Sequence, residues 1–466
     1  MKATIAAAAL ALGVSGCATL SDDGGFSSVE QAVRERTGAE TKWQRSDDEA
    51  SSVRARVKEL LAQPLGAAEA VQVALLNNPG LQASYAEMGI AEADLVQASR
   101  WRGPRFSFAR LSRGDEIEYE RSVFFDILGL ITIPLATRAE GKRFEAAKSR
   151  AATEALRVAL ETRKAWFAAV AAQESARYQE QVKDAAEASA ELARRMAALG
   201  NFSKLDHARE QAFYAGATAD LARSRHAALA ARERLTRLMG LWGDDTGFML
   251  PERLPELPKE PAPGTDLEAR ALAQRLDVQA AKRDTESLAE SLGLTKVTRF
   301  VSLLEFGLHN NSATGEPRQR GWEVELEIPI FDFGSARTAR AERIYMQSVN
   351  RAADVAIQAR SEVRETYGAY RTAFDLARHY RDEVVPLRKR ISEEMLLRYN
   401  GMLASVFELL ADSREQVTAV NAYIESLRDF WLADSDLQMA LTGRSPGAVV
   451  RLRTASPAAA ASGGGH

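Results

Sequence analysis

Residues Gly321 to Arg343, GWEVELEIPIFDFGSARTARAER, change periodicity halfway along, and that change limits the possible folds more than any other stretch. Trp322, Val324, Leu326 and Ile328 alternate with Glu323, Glu325 and Glu327, the period-two pattern of a strand with one apolar and one acidic face. Pro329 ends that ladder, and after Gly334 an alanine-rich pattern with helical spacing runs to about Tyr399, with no proline before Pro386. The same switch occurs upstream: Val123–Leu135 (VFFDILGLITIPL) reaches Pro134, and Thr137–Leu199 carries the helical pattern. Just before each strand pair, ALLNNPGLQA from Ala74 aligns with ALAQRLDVQA from Ala271. After each long helix a glycine turn, at Gly200 and Gly401, leads to a shorter helix with Arg-Glu-Gln at Arg209–Gln211 and Arg414–Gln416, a match that needs a gap of about one helical turn. The chain is therefore a tandem duplication of helix, strand, strand, long helix, turn and short helix. That makes its 466 residues one object rather than three domains.

Within the first copy, the pattern predicts a helix from Leu65 to about Arg100, stopped by Gly103-Pro104, then strands over Phe106–Ser112 and roughly Arg121–Pro134. In the second, a helix from Asp266 to about Val297 precedes a strand over Phe300–His309 and the acidic strand. Small residues recur at alternating three and four spacing along both long helices: Ala155, Val158, Thr162, Ala165, Ala169, Ala172 and Ala176, then Ala352, Val355, Ala359, Glu362, Thr366, Ala369, Ala373 and Leu376. Such seams pack helices side by side with close axes. At 1.5 Å per residue each long helix is about 95 Å, close to its two shorter neighbours laid end to end. The expected fold is mainly α with a small β part, long helical hairpins forming the wall of an α-barrel tunnel. The expected divisions are a signal segment over 1–16, an N-terminal tether over 17–64, repeats over 65–250 and 266–443, a crossover over 251–265 made extended by Pro251, Pro255, Pro258, Pro261 and Pro263, and a disordered tail over 444–466.

A net charge of −3 carries neither the footprint of a nucleic-acid binder nor a polybasic membrane patch. Lys2, the apolar run Ala3–Gly13 and the small residues before Cys17 make a secretory signal. Cys17 stands where a bacterial lipobox places the lipidated first residue; the alternative is an ordinary signal peptide with an incidental cysteine. No later run reaches the ~18 apolar residues of a spanning helix, so any membrane crossing falls to strands. Phosphate-cradling loops, HExxH and nucleophile elbows are absent, and His207, His226, His309, His379 and His466 are scattered, which argues against an enzyme, a cofactor or a bound metal.

The lipobox, the duplication, IPIFDFG before an arginine- and alanine-rich helix, RYNGMLASVFELLADSREQ and the closing ALTG together resemble the TolC-like outer-membrane efflux proteins, over nearly the whole mature chain. The resemblance implies a homotrimer giving four strands per protomer to a twelve-stranded outer-membrane barrel, with a helical tunnel in the periplasm and an inner-membrane pump and periplasmic adaptor as partners. The stretches ALLNNPGLQASYAEMGIAEADLVQA and FELLADSREQ further resemble members linked to heavy-metal tolerance. In such a barrel Glu323, Glu325 and Glu327, joined by Glu305 and His309, face the lumen and favour cations, or are simply a solvated face. The turns Gly200-Asn201-Phe202-Ser203 and Gly401-Met402-Leu403-Ala404-Ser405 become the adaptor-facing tip, each with a glycine C-cap. Family gates use carboxylates soon after the second glycine; counted strictly those positions hold Phe407 and Leu410, and a one-residue shift brings in Glu408, with Asp412 nearby. Asp206 fits the first-copy position, with Arg398 and Tyr399 as its expected partners across the tip. The implied activity is passive export of small toxic compounds or metal ions. Type I protein secretion and a non-conducting envelope scaffold remain as alternatives.

Overall fold

The structure, a computed structural model, describes residues 19–445 and Gly447; Cys17 and nearly all of the expected tail lie outside them. Two compact units share the duplication. One takes in Ala83–Ala152 and Leu276–Ile357 with the N-terminal residues up to Ala32; the other takes in Val33–Gln82, Thr153–Arg275 and the chain from Gln358 on.

The N-terminal segment carries two helices, α1 (Phe26–Thr37) and α2 (Asp47–Leu61), the latter capped by the Ser46 hydroxyl, which accepts from the Glu49 amide. It is fitted rather than loose: Ser21 donates to Glu92, Phe26 meets Tyr85 edge-on, and Gln44 donates to the Leu76 carbonyl at 2.8 Å. Each helix expected before the strands is in fact two: α3 (Ala67–Asn77) and α4 (Pro79–Ala98), and later α7 (Leu267–Gln274) and α8 (Leu276–Val297). The breaks fall at Asn78, which Pro79 holds out of the helical region, and at Arg275, both with extended ψ.

The strands are β1 (Arg105–Arg113), β2 (Glu116–Asp126), β3 (Leu303–Ala313) and β4 (Gln319–Glu327), in antiparallel order β1-β2-β3-β4. The expected strand to Pro134 is corrected here: β2 stops at Asp126, and α5 (Ile127–Ala198) holds Pro134 inside it. Asp126 is the reason, since its carboxylate accepts the Gly129 amide at 2.6 Å and starts a helix. A short apolar run such as ILGLITIP is not told from a strand by its periodicity. In the second copy the chain does turn at the proline: Phe333 and Gly334 have φ of 48° and 68°, and a Cβ on Gly334 would sit 2.3 Å from the Arg299 carbonyl oxygen.

The second long helix is α9 (Ser335–His379) and α10 (Val385–Asn400), joined without a break by a π turn over Tyr380–Val384. The Val385 amide bonds to the Tyr380 carbonyl, a wider turn placed directly before Pro386, which has no amide hydrogen to donate. Return helices α6 (Lys204–Met239) and α11 (Val406–Thr442) complete the two copies. Ala155, Val158, Thr162, Ala165 and Ala169 of the first seam are buried. In α9 the buried stripe is Ala359, Val363, Thr366, Tyr370, Ala373 and Ala377, so alternate members of the expected seam are displaced by one residue and Leu376 is exposed. Residues 251–265 carry no helix or strand, with the Ala262 amide bonded to the Tyr370 hydroxyl and the Trp431 indole to the Pro255 carbonyl.

Candidate functional site

The register sorts the sheet into two chemically distinct faces. Opposite residues in an antiparallel ladder share a face, and alternate residues along a strand do not. Glu305 lies opposite Glu325, Gly307 opposite Glu323, Leu303 opposite Glu327 and Asp126 opposite Glu305. By the same ladder Glu116, Glu118 and Glu120 join them, so every carboxylate on the strands falls on one face. The other face carries Phe106, Phe108, Val123, Phe125, Leu304, Phe306, Leu308, Trp322, Val324 and Leu326, and no acid.

Two of the expected acids have a basic side chain against them. Arg105 donates to Glu305 at 2.6 Å while its guanidinium lies 4.8 Å from the Phe124 ring centroid. His309 stands between the Ser122 hydroxyl at 2.8 Å and Glu323 at 2.7 Å, with Phe124 edge-on to its ring. Glu325 and Glu327 have no such neighbour among the described residues. Glu116, Glu118 and Glu120 were missed in the sequence because the expected strand began only at Arg121, although Ile117 and Tyr119 alternate with them, and Arg105 and Asp126 join the face through Glu305, which is distant in the chain. Among the described residues no group of three His, Cys, Asp or Glu side chains is placed to hold a metal ion. No described helix is long and apolar enough to cross a membrane.

The turn at the end of α5 is closed by Gly200 at φ 78°, with the Asn201 amide on the Met196 carbonyl and the Gly200 amide on that of Ala197. Phe202 follows it half-buried. Ser203 caps α6 by accepting the Asp206 amide, and its hydroxyl donates to the Asp206 carboxylate at 2.5 Å. The same pair of turn bonds recurs at the end of α10, from the Leu403 amide to Arg398 and the Met402 amide to Tyr399. Here, though, the left-handed residue is Met402 at φ 60°, and Gly401 sits at φ −80°. Gly401 is the C-cap of α10, but the left-handed conformation falls one residue later, on a side chain with a Cβ, where such backbone is strained. Met402 and Leu403 are 93% and 81% exposed. Ser405 and Glu408 form a reciprocal capping box on α11, and the Ser405 amide bonded to the Glu408 carboxylate holds its pKa below the usual range.

The expected bonds from Asp206 to Arg398 or Tyr399 are not formed; Asp206 instead pairs with Ser203 and, at 3.3 Å, with Arg209 of its own helix. Caps satisfy a short-range demand that a reach across the tip does not. Tyr399 lines an apolar groove with Phe202, Leu192, Met196, Leu409 and Leu410. Counting from the two caps, Glu210 and Asp412 occupy the same position on α6 and α11, so the Arg-Glu-Gln triplets are not equivalent and the two halves need no gap there. Both acids are buried. Glu210 accepts from Ser189 at 2.8 Å and from Arg414 at 2.7 Å, and Arg414 also lies 4.3 Å from the Phe213 ring centroid. Asp412 accepts from Ser392, which also donates to Gln416. Glu210 and Arg414 therefore tie one hairpin to the other, a link hidden in the sequence by the misleading triplet match.

No family model and no curated protein sequence matches the chain. Solved structures do. The outer-membrane channel CmeC of Campylobacter jejuni matches with a TM-score of 0.69 at 16% identity, over 82% of this chain and 87% of that one. A membrane protein from Pseudomonas aeruginosa matches at 0.68 and 20% identity, over 80% and 92%. CusC, studied for the conformational changes of folding and transmembrane channel formation, matches at 0.66 and 17% identity, over 84% and 92%. The chain has the TolC-like outer-membrane factor fold, long helical hairpins carrying a small four-stranded sheet.

Proposed function

We propose that three copies of this chain form a passive outer-membrane exit duct of an efflux system. The observation that carries the reading is the sheet. Its strands of 9 and 11 residues are the length that crosses a bilayer when tilted, one face is apolar and the other acidic, and β1 and β4 leave open edges. Unpaired backbone in hydrocarbon costs several kcal/mol per group, so such a sheet must close, and four strands are too few. Three protomers supply twelve. The solved channels with this fold support the same use.

In this reading residues 1–16 are cleaved and Cys17 carries lipid, anchoring the chain at the outer membrane. The acidic face lines the water path, where Glu325 and Glu327 favour cations. The tip, from Gly200 to Ser203 and Gly401 to Ser405, meets a periplasmic adaptor and, through it, an inner-membrane pump that supplies the energy. Gating is a two-state shift in hairpin packing at that tip. Asp206, Arg398, Tyr399, Glu408 and Asp412 stay candidates for the gate, and the Glu210–Arg414 tie joins them. The cargo class is small toxic compounds or metal ions.

A deletion strain grown across metal ions, dyes, detergents and antibiotics tests this, together with conductance of the purified protein in planar bilayers. Selective loss of tolerance restored by the intact gene, and a trimer that conducts, are expected. A conducting trimer with no selective loss points to protein secretion. A monomer without conductance overturns the duct in favour of an envelope scaffold. Changing Glu323, Glu325 and Glu327 to lysine without altering ion selectivity would remove the cation preference alone.

A further inference from the structure

The apolar face of the sheet does not stay apolar to its end. Above the rows of Leu304 and Leu326, Phe125, Phe306 and Val324, then Phe106, Val123, Leu308 and Trp322, the next row on the same face holds Arg121 and Arg320 with Phe108 and Asn310, and one step further Arg110 stands beside Tyr119 and Ser312. All three arginines are exposed. Among the described residues none of the three makes an ion pair with a carboxylate, and every strand acid is on the opposite face. Arg121 is held in place without being neutralised: its guanidinium meets the Asn310 carbonyl and the Ser312 hydroxyl at 3.4 and 3.3 Å and lies 5.4 Å from the Tyr119 ring centroid. At about 3.4 Å per residue, the arginine rows begin roughly 20 Å along the strand from the Leu326 row, where a hydrocarbon band gives way to headgroups. Tyr119 and Trp322 stand at that boundary, as interfacial aromatics do.

A row of unpaired cations on the membrane-facing side, directly beyond an apolar band, calls for an anion at headgroup depth. All three are arginines rather than lysines, and the planar fork matches two phosphate oxygens at once. We propose that Arg110, Arg121 and Arg320 form a docking surface for the phosphates of the outer leaflet's phosphorylated glycolipid, three such patches girding the trimer at its hairpin end. The inference rests on the duct reading, which places this face in lipid with the β-hairpins outward. It adds a function for the sheet's exterior: choosing and holding annular lipid.

The test uses the full-length protein purified in detergent, with native mass spectrometry after adding a bisphosphorylated glycolipid, its dephosphorylated form, or phosphatidylglycerol. Retention of the bisphosphorylated form above both others is expected, falling about fivefold for each arginine replaced in Arg110→Gln, Arg121→Gln and Arg320→Gln. Arg320→Lys keeps charge but loses the fork, and should retain an intermediate amount. Equal retention of the three lipids, or unchanged preference in the single glutamine variants, overturns the proposal. Should the triple variant fail to assemble, the single variants at exposed positions still decide it. A protein that conducts as a trimer yet shows no preference refutes only this inference, whereas one that neither trimerises nor conducts refutes the duct.

Discussion

In the first copy of the repeat the chain leaves β2 at Asp126 and is helical from Ile127, whereas in the second it leaves β4 at Glu327, turns through Ile328–Gly334 and becomes helical only at Ser335. The copies differ again where the helix before the strands breaks. Asn78 sends its amide to the Leu238 carbonyl at 2.8 Å, and Asn77 reaches the Met239 and Gly240 carbonyls at 3.1 and 2.9 Å, so two side-chain amides clamp the end of α6. Arg275 at the matching position is 1% exposed and meets Glu362 of α9 at 2.6 Å. One copy ties its break to a return helix with neutral hydrogen bonds; the other ties it to the long helix with a buried ion pair. Duplication thus preserved the positions of the joints and not the chemistry that fastens them.

The sharpest test of that difference is to remove each fastening. Arg275→Ala leaves the Glu362 carboxylate with the Ser445 hydroxyl and no cation beside it, and a loss of about 3 kcal/mol is expected. Asn78→Ala removes hydrogen bonds between neutral groups, and about 1 kcal/mol should follow. Chemical denaturation of the purified protein, read as the midpoint shift of each variant, checks the ratio. Equal shifts would mean the two joints are held by packing alone.

What the sequence made legible follows from what it repeats. The acidity of β4, the long helices and the turns were readable because alternation and helical spacing are local, and the helices and turns occurred twice. The start of α5 was not, since Ile131, Thr132 and Ile133 favour a strand locally and only the Asp126 cap reverses that. Nor was the break at Arg275, where no proline follows and the buried arginine meets Glu362, which is distant in the chain. The tip acids divide: Glu408 could be picked out and its cap is local, made with Ser405 three residues before it, whereas the burial of Glu210 beneath Arg414 depends on a contact between residues some two hundred apart in the chain.

Those acids give the next contrast. Replacing Arg414 by alanine leaves Glu210 with Ser189 alone and should cost about 2 kcal/mol, a figure lowered because Arg414 is itself 37% exposed. Ser392→Ala, which takes the hydroxyl from Asp412, should cost about 1 kcal/mol. In the duct reading only the first variant unties the hairpins, so it alone should raise single-channel conductance in bilayers. An equal rise from both would assign the latch to the hairpin interiors instead.

The two turns differ by a smaller amount and in opposite directions. Gly200→Ala puts a Cβ on a left-handed residue with open space around it, so only the backbone term applies, about 1 kcal/mol. Met402→Gly relieves the same strain, and after the added freedom of glycine in the unfolded chain a gain of about 0.5 kcal/mol remains. If thermal melting shows Met402→Gly to be destabilising, the side chain is making contacts that outweigh its backbone, and its 93% exposure argues against that. A variant that is more stable yet binds an adaptor less well would show strain retained for the sake of an exposed methionine.

The smallest effect is the pH response of the second cap. The Ser405 amide and hydroxyl hold the Glu408 carboxyl below its ordinary value. A depressed folded pKa contributes stability that is fully present above the unfolded value of about 4.5 and is lost as pH falls through that value toward the folded one. Acidification below that point should therefore fray the first turn of α11, seen as faster hydrogen exchange at Glu408 and Leu409 after correction for intrinsic rates. Glu408→Gln keeps a reciprocal capping partner without a charge to lose, so its exchange should be flat over the same range. Parallel responses in the two proteins would place the fraying elsewhere at the tip, with Ser203 and Asp206 of the first copy the next pair to substitute.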